Sequence, residues 1–292
     1  MKSSELLARL EEKTPLIIDG ATGTNLQQRG LPVGNAPENW VLTNPQAIIG
    51  LHNDFIKSGS DIILTCTFGG NRIRLAHAGL DSQAELINKT AVQLARQAVG
   101  NQEILIAGSM GPTGEMMQPY GSISEDDVYQ IYLQQAGYLI DAGVDFLVVE
   151  TQYDLNEAFK AVEAIRSISE IALVCSFSYD RGTRTMMGIK PAQVAAAFNE
   201  TYVTAIGINC GKSLETNKLV LEELSGITPK PIWYKPNAGS PETDTDGNVH
   251  YRITPQQIGE QAVDWIKNGA CFIGGCCGTS PELLASIARA VK

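Results

Sequence analysis

The sequence predicts a (β/α)8 barrel, the TIM barrel, built by residues 1–292 as a single domain. Eight short apolar segments rich in Val, Ile, Leu and Phe recur along the chain, and stretches with helical periodicity fall between them. Most of the apolar segments are continuous rather than alternating, which is typical of parallel strands covered on both faces. Eight strand–helix units are the number that closes this barrel, and the chain length fits it. An open, doubly wound sheet is the main alternative.

The predicted strands and helices alternate along the chain, and no proline-rich or low-complexity linker divides them. Helix starts carry capping residues, such as Ser124 with Asp127 three residues on, and helix ends carry glycine, such as Gly143. The polar stretch Asp244–Tyr251, after the seventh strand, indicates a small hairpin. The strands are predicted at Leu16–Gly20, Asp61–Phe68, Glu103–Ser109, Asp145–Thr151, Ile171–Tyr179, Ala205–Cys210, Ile232–Gly239 and Cys271–Cys276. The helices are predicted at Asn44–Ser58, Ser82–Val99, Ser124–Ala142, Asn156–Ile168, Pro191–Thr201, Leu214–Leu224, Thr254–Asn268 and Pro281–Val291.

Composition and charge argue against several classes of protein. The sequence has no continuous run of about 18 apolar residues, so a membrane span is not expected. The first residues lack the apolar core of a secretion signal, and we expect a short amphipathic helix there and a cytoplasmic location. A net charge of −10 without clustered Lys or Arg speaks against nucleic acid and anionic membranes as partners. Six cysteines without an export signal indicate free thiols or metal ligands rather than disulfides.

Two adjacent cysteines, Cys276 and Cys277, lie between glycines directly after the last apolar segment. Neighbouring residues of a regular strand point to opposite faces, but the flanking glycines let the backbone leave the strand and turn. Cys210 ends the sixth predicted strand, so it falls at the same end of the barrel. Three thiolates leave one of the four tetrahedral positions of zinc open, which is typical of a catalytic site rather than a closed structural one.

A thiol is the natural fourth ligand for such a soft set of donors, and zinc keeps it deprotonated near neutral pH. We therefore expect a zinc-activated thiolate as the nucleophile, with no further catalytic residue. The other cysteines, Cys66, Cys175 and Cys271, lie inside predicted strands and are interpreted as packed in the core.

Carboxylates close two of the apolar strands, at Asp19 and Glu150, where a purely structural residue is more often apolar. They are candidates for binding the ammonium group of an amino acid, while the amides of residues 20–24 bind its carboxylate. The alternatives are a capping role for Asp19 and a solvated side chain for Glu150.

With these residues in place, the chain resembles the homocysteine-binding S-methyltransferase family over nearly its whole length. The resemblance implies a zinc-dependent (β/α)8 barrel in which Cys210, Cys276 and Cys277 hold zinc and the sulfur of homocysteine takes the fourth position. It also implies substrate contacts from Asp19, Gly20, Thr67 and Glu150, and it makes Asn237 a candidate whose amide oxygen approaches zinc before the substrate arrives. The motifs that carry it are residues 19–24, 108–112, 207–210, 236–239 and 274–279.

Within that family, residues 111–114 and 236–239 most resemble the N-terminal module of cobalamin-dependent methionine synthase. The histidines lack the Asp-x-His-x-x-Gly pattern that anchors cobalamin, so we expect methylcobalamin to be carried by a separate corrinoid protein. The product is then methionine. The alternatives are a small donor such as S-methylmethionine, or a thiol-binding subunit of a multi-component corrinoid methyltransferase or demethylase.

Overall fold

Eight parallel strands form one barrel in the computed structural model, which describes residues 1–243 and 249–292. Strands that follow one another along the chain pair side by side from the second strand of the barrel to the last, and the last strand also pairs with the first. A parallel bridge between Ile18 and Ile62 joins the first strand to the second and closes the barrel. The predicted (β/α)8 barrel is therefore confirmed.

All eight predicted barrel strands are present, and five of them end earlier than predicted. A short antiparallel pair, β8 with β9, follows β7, and the predicted excursion Asp244–Tyr251 lies partly outside the described residues. The strand bounds are β1 Leu16–Ile17, β2 Ile62–Leu64, β3 Leu105–Met110, β4 Phe146–Gln152, β5 Leu173–Phe177, β6 Ala205–Cys210, β7 Ile232–Pro236, β8 Glu242–Thr243, β9 Val249–His250 and β10 Ala270–Ile273.

All eight predicted helices, and the amphipathic helix at the N-terminus, are also present. Three further helices, α2, α3 and α5, lie in the first two βα connections; each has only five to seven residues, too few to show a helical period. The bounds are α1 Ser3–Glu12, α2 Thr22–Gln28, α3 Asn39–Thr43, α4 Pro45–Lys57, α5 Arg72–Ala76, α6 Ala84–Val99, α7 Glu125–Asp141, α8 Leu155–Ile168, α9 Pro191–Phe198, α10 Leu214–Ser225, α11 Pro255–Lys267 and α12 Pro281–Val291.

The barrel interior is apolar at the amino-terminal ends of the strands and polar at their carboxyl ends. Successive inward positions lie two residues apart, so one strand contributes to several layers. In β7 the inward residues are Trp233 and then Lys235, and in β4 Val148 is followed by Glu150. Helix α1 covers the apolar end, where Leu6 packs against the interior cluster. That cluster also contains Leu10, Leu16, Ile18, Ile62, Leu64, Leu105, Ala107, Phe146, Ala172, Val174, Ala205 and Phe272.

A second and larger hydrophobic core lies between the outer face of the strands and the surrounding helices. It explains why the strands read as continuously apolar, since both faces of each strand are buried. In the described ranges, no helix combines the length and apolar character that crossing a membrane requires.

Candidate metal and substrate site

The three cysteines predicted as metal ligands meet at the carboxyl-terminal end of the barrel. Cys210 ends β6, while Cys276 and Cys277 follow β10. Their sulfur atoms all lie within 4.8 Å of one another, and the Sγ atoms of Cys210 and Cys276 are 2.7 Å apart. Within the described part of the chain, this is the one cluster of His, Cys, Asp or Glu side chains with such spacing. The expected convergence of the three thiols is therefore present in the structure.

The turn after β10 allows two neighbouring cysteines to serve one site. The strand ends at Ile273, so both cysteines lie outside it. A side chain at Gly275 would approach Thr279 Oγ1 to 2.1 Å, so the fold tolerates only glycine there. The amide of Cys276 donates to the Pro236 carbonyl over 2.7 Å, which ties the turn to the end of β7. Gly275 is therefore required by the close approach of Thr279, while Gly278, with φ 81°, takes a left-handed conformation that favours glycine.

Cys210 has a strained backbone that aims its sulfur at the same point. Its φ is 55°, a left-handed conformation that residues other than glycine seldom adopt, and Gly211 follows with φ 80°. The side-chain amide of Asn217 in α10 donates to the Cys210 carbonyl over 2.6 Å. The side-chain nitrogen Nδ2 of Asn209 lies 3.4 Å from the Cys210 sulfur. These two amides hold the unusual turn in place.

Asn237 connects the two segments that carry the cysteines. Its side-chain oxygen accepts from the Cys277 amide at 3.0 Å, and its side-chain nitrogen donates to the Gly211 carbonyl at 2.9 Å. Its own amide donates to the Cys210 carbonyl over 3.3 Å. Direct contact between Asn237 and the substrate or the metal stays a prediction, while its observed contacts position the cysteine ligands.

The three thiols stabilise one negative charge among themselves. Hydrogen bonds from Cys210 and then Cys276 lower the pKa of Cys277 to about 3. The same contacts with Cys276 and Cys277 raise the pKa of Cys210 well above its usual value. Because the groups interact strongly, they titrate as a unit, and a divalent cation is what would favour all three thiolates at once. Three close sulfur donors fit zinc, both in ligand type and in the position they leave open.

A cavity of about 780 Å³ opens at the cysteine cluster. Its volume is in the range that holds drug-sized ligands, well above what a small amino acid needs. The inner wall carries polar side chains from the ends of the strands, and the outer wall is formed by the first two βα connections. Residues that line it include Thr67, Phe68, Arg74, Ser109, Glu150, Lys235 and the three cysteines.

Two carboxylates and one ammonium group lie buried beside this cavity. Lys235 Nζ is 3.3 Å from Asp19 Oδ1 and donates to the Gly20 carbonyl over 3.1 Å. Burial works against the ammonium of Lys235, but Asp19 and Glu150 outweigh it and raise its pKa. Burial raises the pKa of Asp19 and raises that of Glu150 to about 7, in both cases against the opposing effect of Lys235. The ammonium is the charge that the site stabilises best, because two carboxylates and a carbonyl surround it.

The predicted substrate residues occupy different positions around the cavity. Glu150 lines it and accepts from the Ser109 hydroxyl. Thr67 also lines it, but its hydroxyl donates to the Ser109 carbonyl over 2.7 Å, so it braces the neighbouring strand. Asp19 is only 1% exposed, with its Oδ2 accepting from the Leu64 amide at 2.8 Å, and lies behind the wall that Lys235 forms.

Lys235, Ser109 and Asn209 belong to the site and were not singled out as site residues from the sequence. All three are inward-facing positions at strand ends, each at most 5% exposed. Lys235 could have been recognised from the sequence, because a lysine inside an otherwise apolar strand is rarely buried without a specific partner. Nothing in the sequence marked Ser109 and Asn209 as site residues, apart from their positions in the motifs at residues 108–112 and 207–210.

Comparison with known proteins agrees with this geometry. A family model described as homocysteine S-methyltransferase matches residues 16–291. The metallated form of the homocysteine methyltransferase MmuM from Escherichia coli is 27% identical, with a TM-score of 0.83, and the match covers 97% of this chain and 99% of that one. Its apo form is 26% identical, with a TM-score of 0.77 and coverage of 98% and 99%.

A more distant match shows the fold alone. A lysine-bound dihydrodipicolinate synthase from Cyanidioschyzon merolae is 10% identical, with a TM-score of 0.54, over 94% of this chain and 73% of the other. The family model, by contrast, spans nearly the whole barrel and includes the three cysteines. The chain therefore belongs to the homocysteine S-methyltransferase family and is a methyltransferase that acts on homocysteine.

Proposed function

We propose that this methyltransferase depends on zinc held by Cys210, Cys276 and Cys277, and that it methylates homocysteine as a thiolate to give methionine. The observation that supports this most strongly is the meeting of three sulfur atoms within 4.8 Å on the wall of a large cavity. Cys210, Cys276 and Cys277 would hold zinc and leave it able to take a further thiol, which a bound zinc ion would keep deprotonated near neutral pH.

The reaction then needs positioning rather than a general base. The homocysteine sulfur attacks the methyl carbon, the new sulfur–carbon bond forms as the bond from methyl to donor breaks, and the electron pair stays on the donor. We assign the ammonium group of the substrate to Glu150; its position in the cavity lining and its hydrogen bond from Ser109 support this assignment. Asn237 and Asn217 keep the cysteine segments in register.

For the donor we propose methylcobalamin on a separate corrinoid protein, whose cobalt retains the electron pair when the methyl group leaves. The support is the resemblance of residues 111–114 and 236–239 to the methionine synthase module. The three histidines of the sequence, His52, His77 and His250, lack an aspartate two positions earlier, so they do not match the cobalamin-anchoring pattern.

The alternative is a small sulfonium donor such as S-methylmethionine, which leaves as a neutral thioether. One observation favours it: the cavity of about 780 Å³ is larger than homocysteine alone needs, so it has room for a small donor. A third candidate is a thiol-binding subunit that is inert alone and works only within a corrinoid assembly.

The zinc assignment is tested with Cys276→Ala in the full chain, reconstituted with zinc. The variant is expected to lose both bound zinc and methionine formation, while Cys271→Ala, five residues earlier and outside the cluster, retains both. Zinc content by atomic emission and methionine by mass spectrometry give independent readouts. Zinc-dependent turnover that survives in Cys276→Ala would contradict the assignment.

The donor is tested by supplying methylcobalamin or S-methylmethionine to zinc-loaded protein with homocysteine. Turnover with methylcobalamin supports the corrinoid donor, and turnover with S-methylmethionine alone supports the small sulfonium donor. Homocysteine binding without turnover from either compound supports the subunit.

A further inference from the structure

Lys235 presents to the cavity an ammonium group whose hydrogen-bonding capacity is only partly used by the described residues. Its side chain is only 6% exposed, and the residue lines the cavity beside the cysteines. An ammonium group has three donors, and in the described structure one of them makes a hydrogen bond, to the Gly20 carbonyl. The contact with Asp19 at 3.3 Å is an ion pair without hydrogen-bond geometry, because Asp19 Oδ1 has no hydrogen-bond partner among the described residues.

The arrangement of charges around Lys235 gives the cavity wall a positive and a negative group. Asp19 lies behind the wall, while Lys235 and Glu150 both line the cavity. A homocysteine zwitterion carries the matching pair, a carboxylate and an ammonium group. Glu150 suits the ammonium group, and Lys235 suits the carboxylate, in addition to the backbone amides of residues 22–24, which also line the cavity.

We infer that Lys235 binds the carboxylate of the acceptor amino acid and so determines that the enzyme accepts amino-acid thiols. Asp19 is then a positioning residue, which holds the ammonium of Lys235 in place from behind. Because the acceptor thiol at the cysteine cluster is part of the proposed function, the role of Lys235 rests on it. A lysine that only balanced the charge of the thiolates would strengthen binding of any thiol equally.

The distinction can be measured with two thiols that differ only in the carboxylate. Homocysteine and 3-aminopropane-1-thiol are titrated into zinc-loaded full-length protein by calorimetry. A charged hydrogen bond of this kind favours homocysteine by about 10- to 100-fold. Lys235→Met is expected to lose that factor for homocysteine and to bind 3-aminopropane-1-thiol unchanged, so the preference falls by the same factor.

Two further variants guard against a folding artefact. Asp19→Asn combined with Lys235→Met removes both charges, so no carboxylate is left buried without its cation, and it should lower the preference in the same way. Lys230→Met removes a lysine that lies just before β7, at the opposite end of the strand, and should keep the preference.

The inference is overturned if Lys235→Met weakens both thiols equally, or if the wild-type protein does not prefer homocysteine. The proposed function would fail in a different way. In that case the wild-type protein would still prefer homocysteine, but its affinity for homocysteine would not fall when zinc is removed.

Discussion

At both ends of the barrel interior, every second residue of a strand points inward, but the inward side chains are apolar at one end and polar or charged at the other. At the amino-terminal end, Trp233 packs against Phe146 and Phe272, with ring centroids 6.2 and 5.4 Å away, and helix α1 covers them. Further along the strands, the inward positions become Lys235, two residues after Trp233, and Glu150, four residues after Phe146. Position along the strand therefore separates packing from chemistry in this barrel, and each end should respond differently to substitution.

The largest effect on folding is expected at the apolar end. Trp233→Ala leaves a cavity among fully buried rings and should lower the free energy of unfolding by about 3–5 kcal/mol. Denaturant unfolding of the metal-free protein measures it. The folded fraction should still bind a full equivalent of zinc, because Trp233 does not line the cavity among the described residues. A loss below about 1 kcal/mol would mean that this end is not the packed core.

At the polar end, Glu150 should make the protein less stable as the pH rises. Its pKa is raised from 4.5 to about 7 in the folded protein, so the native state keeps a proton that the unfolded chain has released. Stability therefore falls between about pH 4.5 and 7, by about 3 kcal/mol from this group, and then levels off.

Glu150→Gln cannot titrate, so its stability relative to wild type should rise across that interval in metal-free protein. Denaturant unfolding at a series of pH values measures the difference. A difference that stays constant with pH would contradict the burial of an ionisable carboxyl at this position.

A smaller effect is expected from Asn237, which joins the two cysteine segments without being required for packing. Asn237→Ala should weaken zinc binding by about 10- to 100-fold, as loss of a supporting hydrogen bond does at other metal sites. Competition with a chromophoric chelator measures it. Asn268→Ala, which removes a side-chain bond to the Asp264 carbonyl at the end of α11, is the matched control and should bind zinc normally. Equal losses in both variants would show a general destabilisation.

The sequence was sufficient to predict the barrel and the convergence of the three cysteines, because both depend on position along the strands. Eight continuous apolar runs specify eight strands, and parallel strands in a barrel end at the same face, which brings Cys210 to Cys276 and Cys277. The short helices α2 and α3 could not be recognised, since an apolar period needs more than seven residues.

The contacts between side chains could not be predicted from the sequence. Asn217 supports Cys210 from α10, and Lys235 separates Asp19 from the cavity; both depend on how neighbouring strands and helices pack. Asp19 and Glu150 look alike at the ends of their strands, yet only the structure shows that one lies behind the wall and the other in it.

X-ray absorption at the zinc edge tests the three-cysteine site most directly. Zinc-loaded protein should show three sulfur neighbours from the chain, and addition of homocysteine should raise the number to four. A sulfur shell that is already complete without homocysteine, or that does not change when homocysteine is bound, would contradict thiolate activation at this cluster.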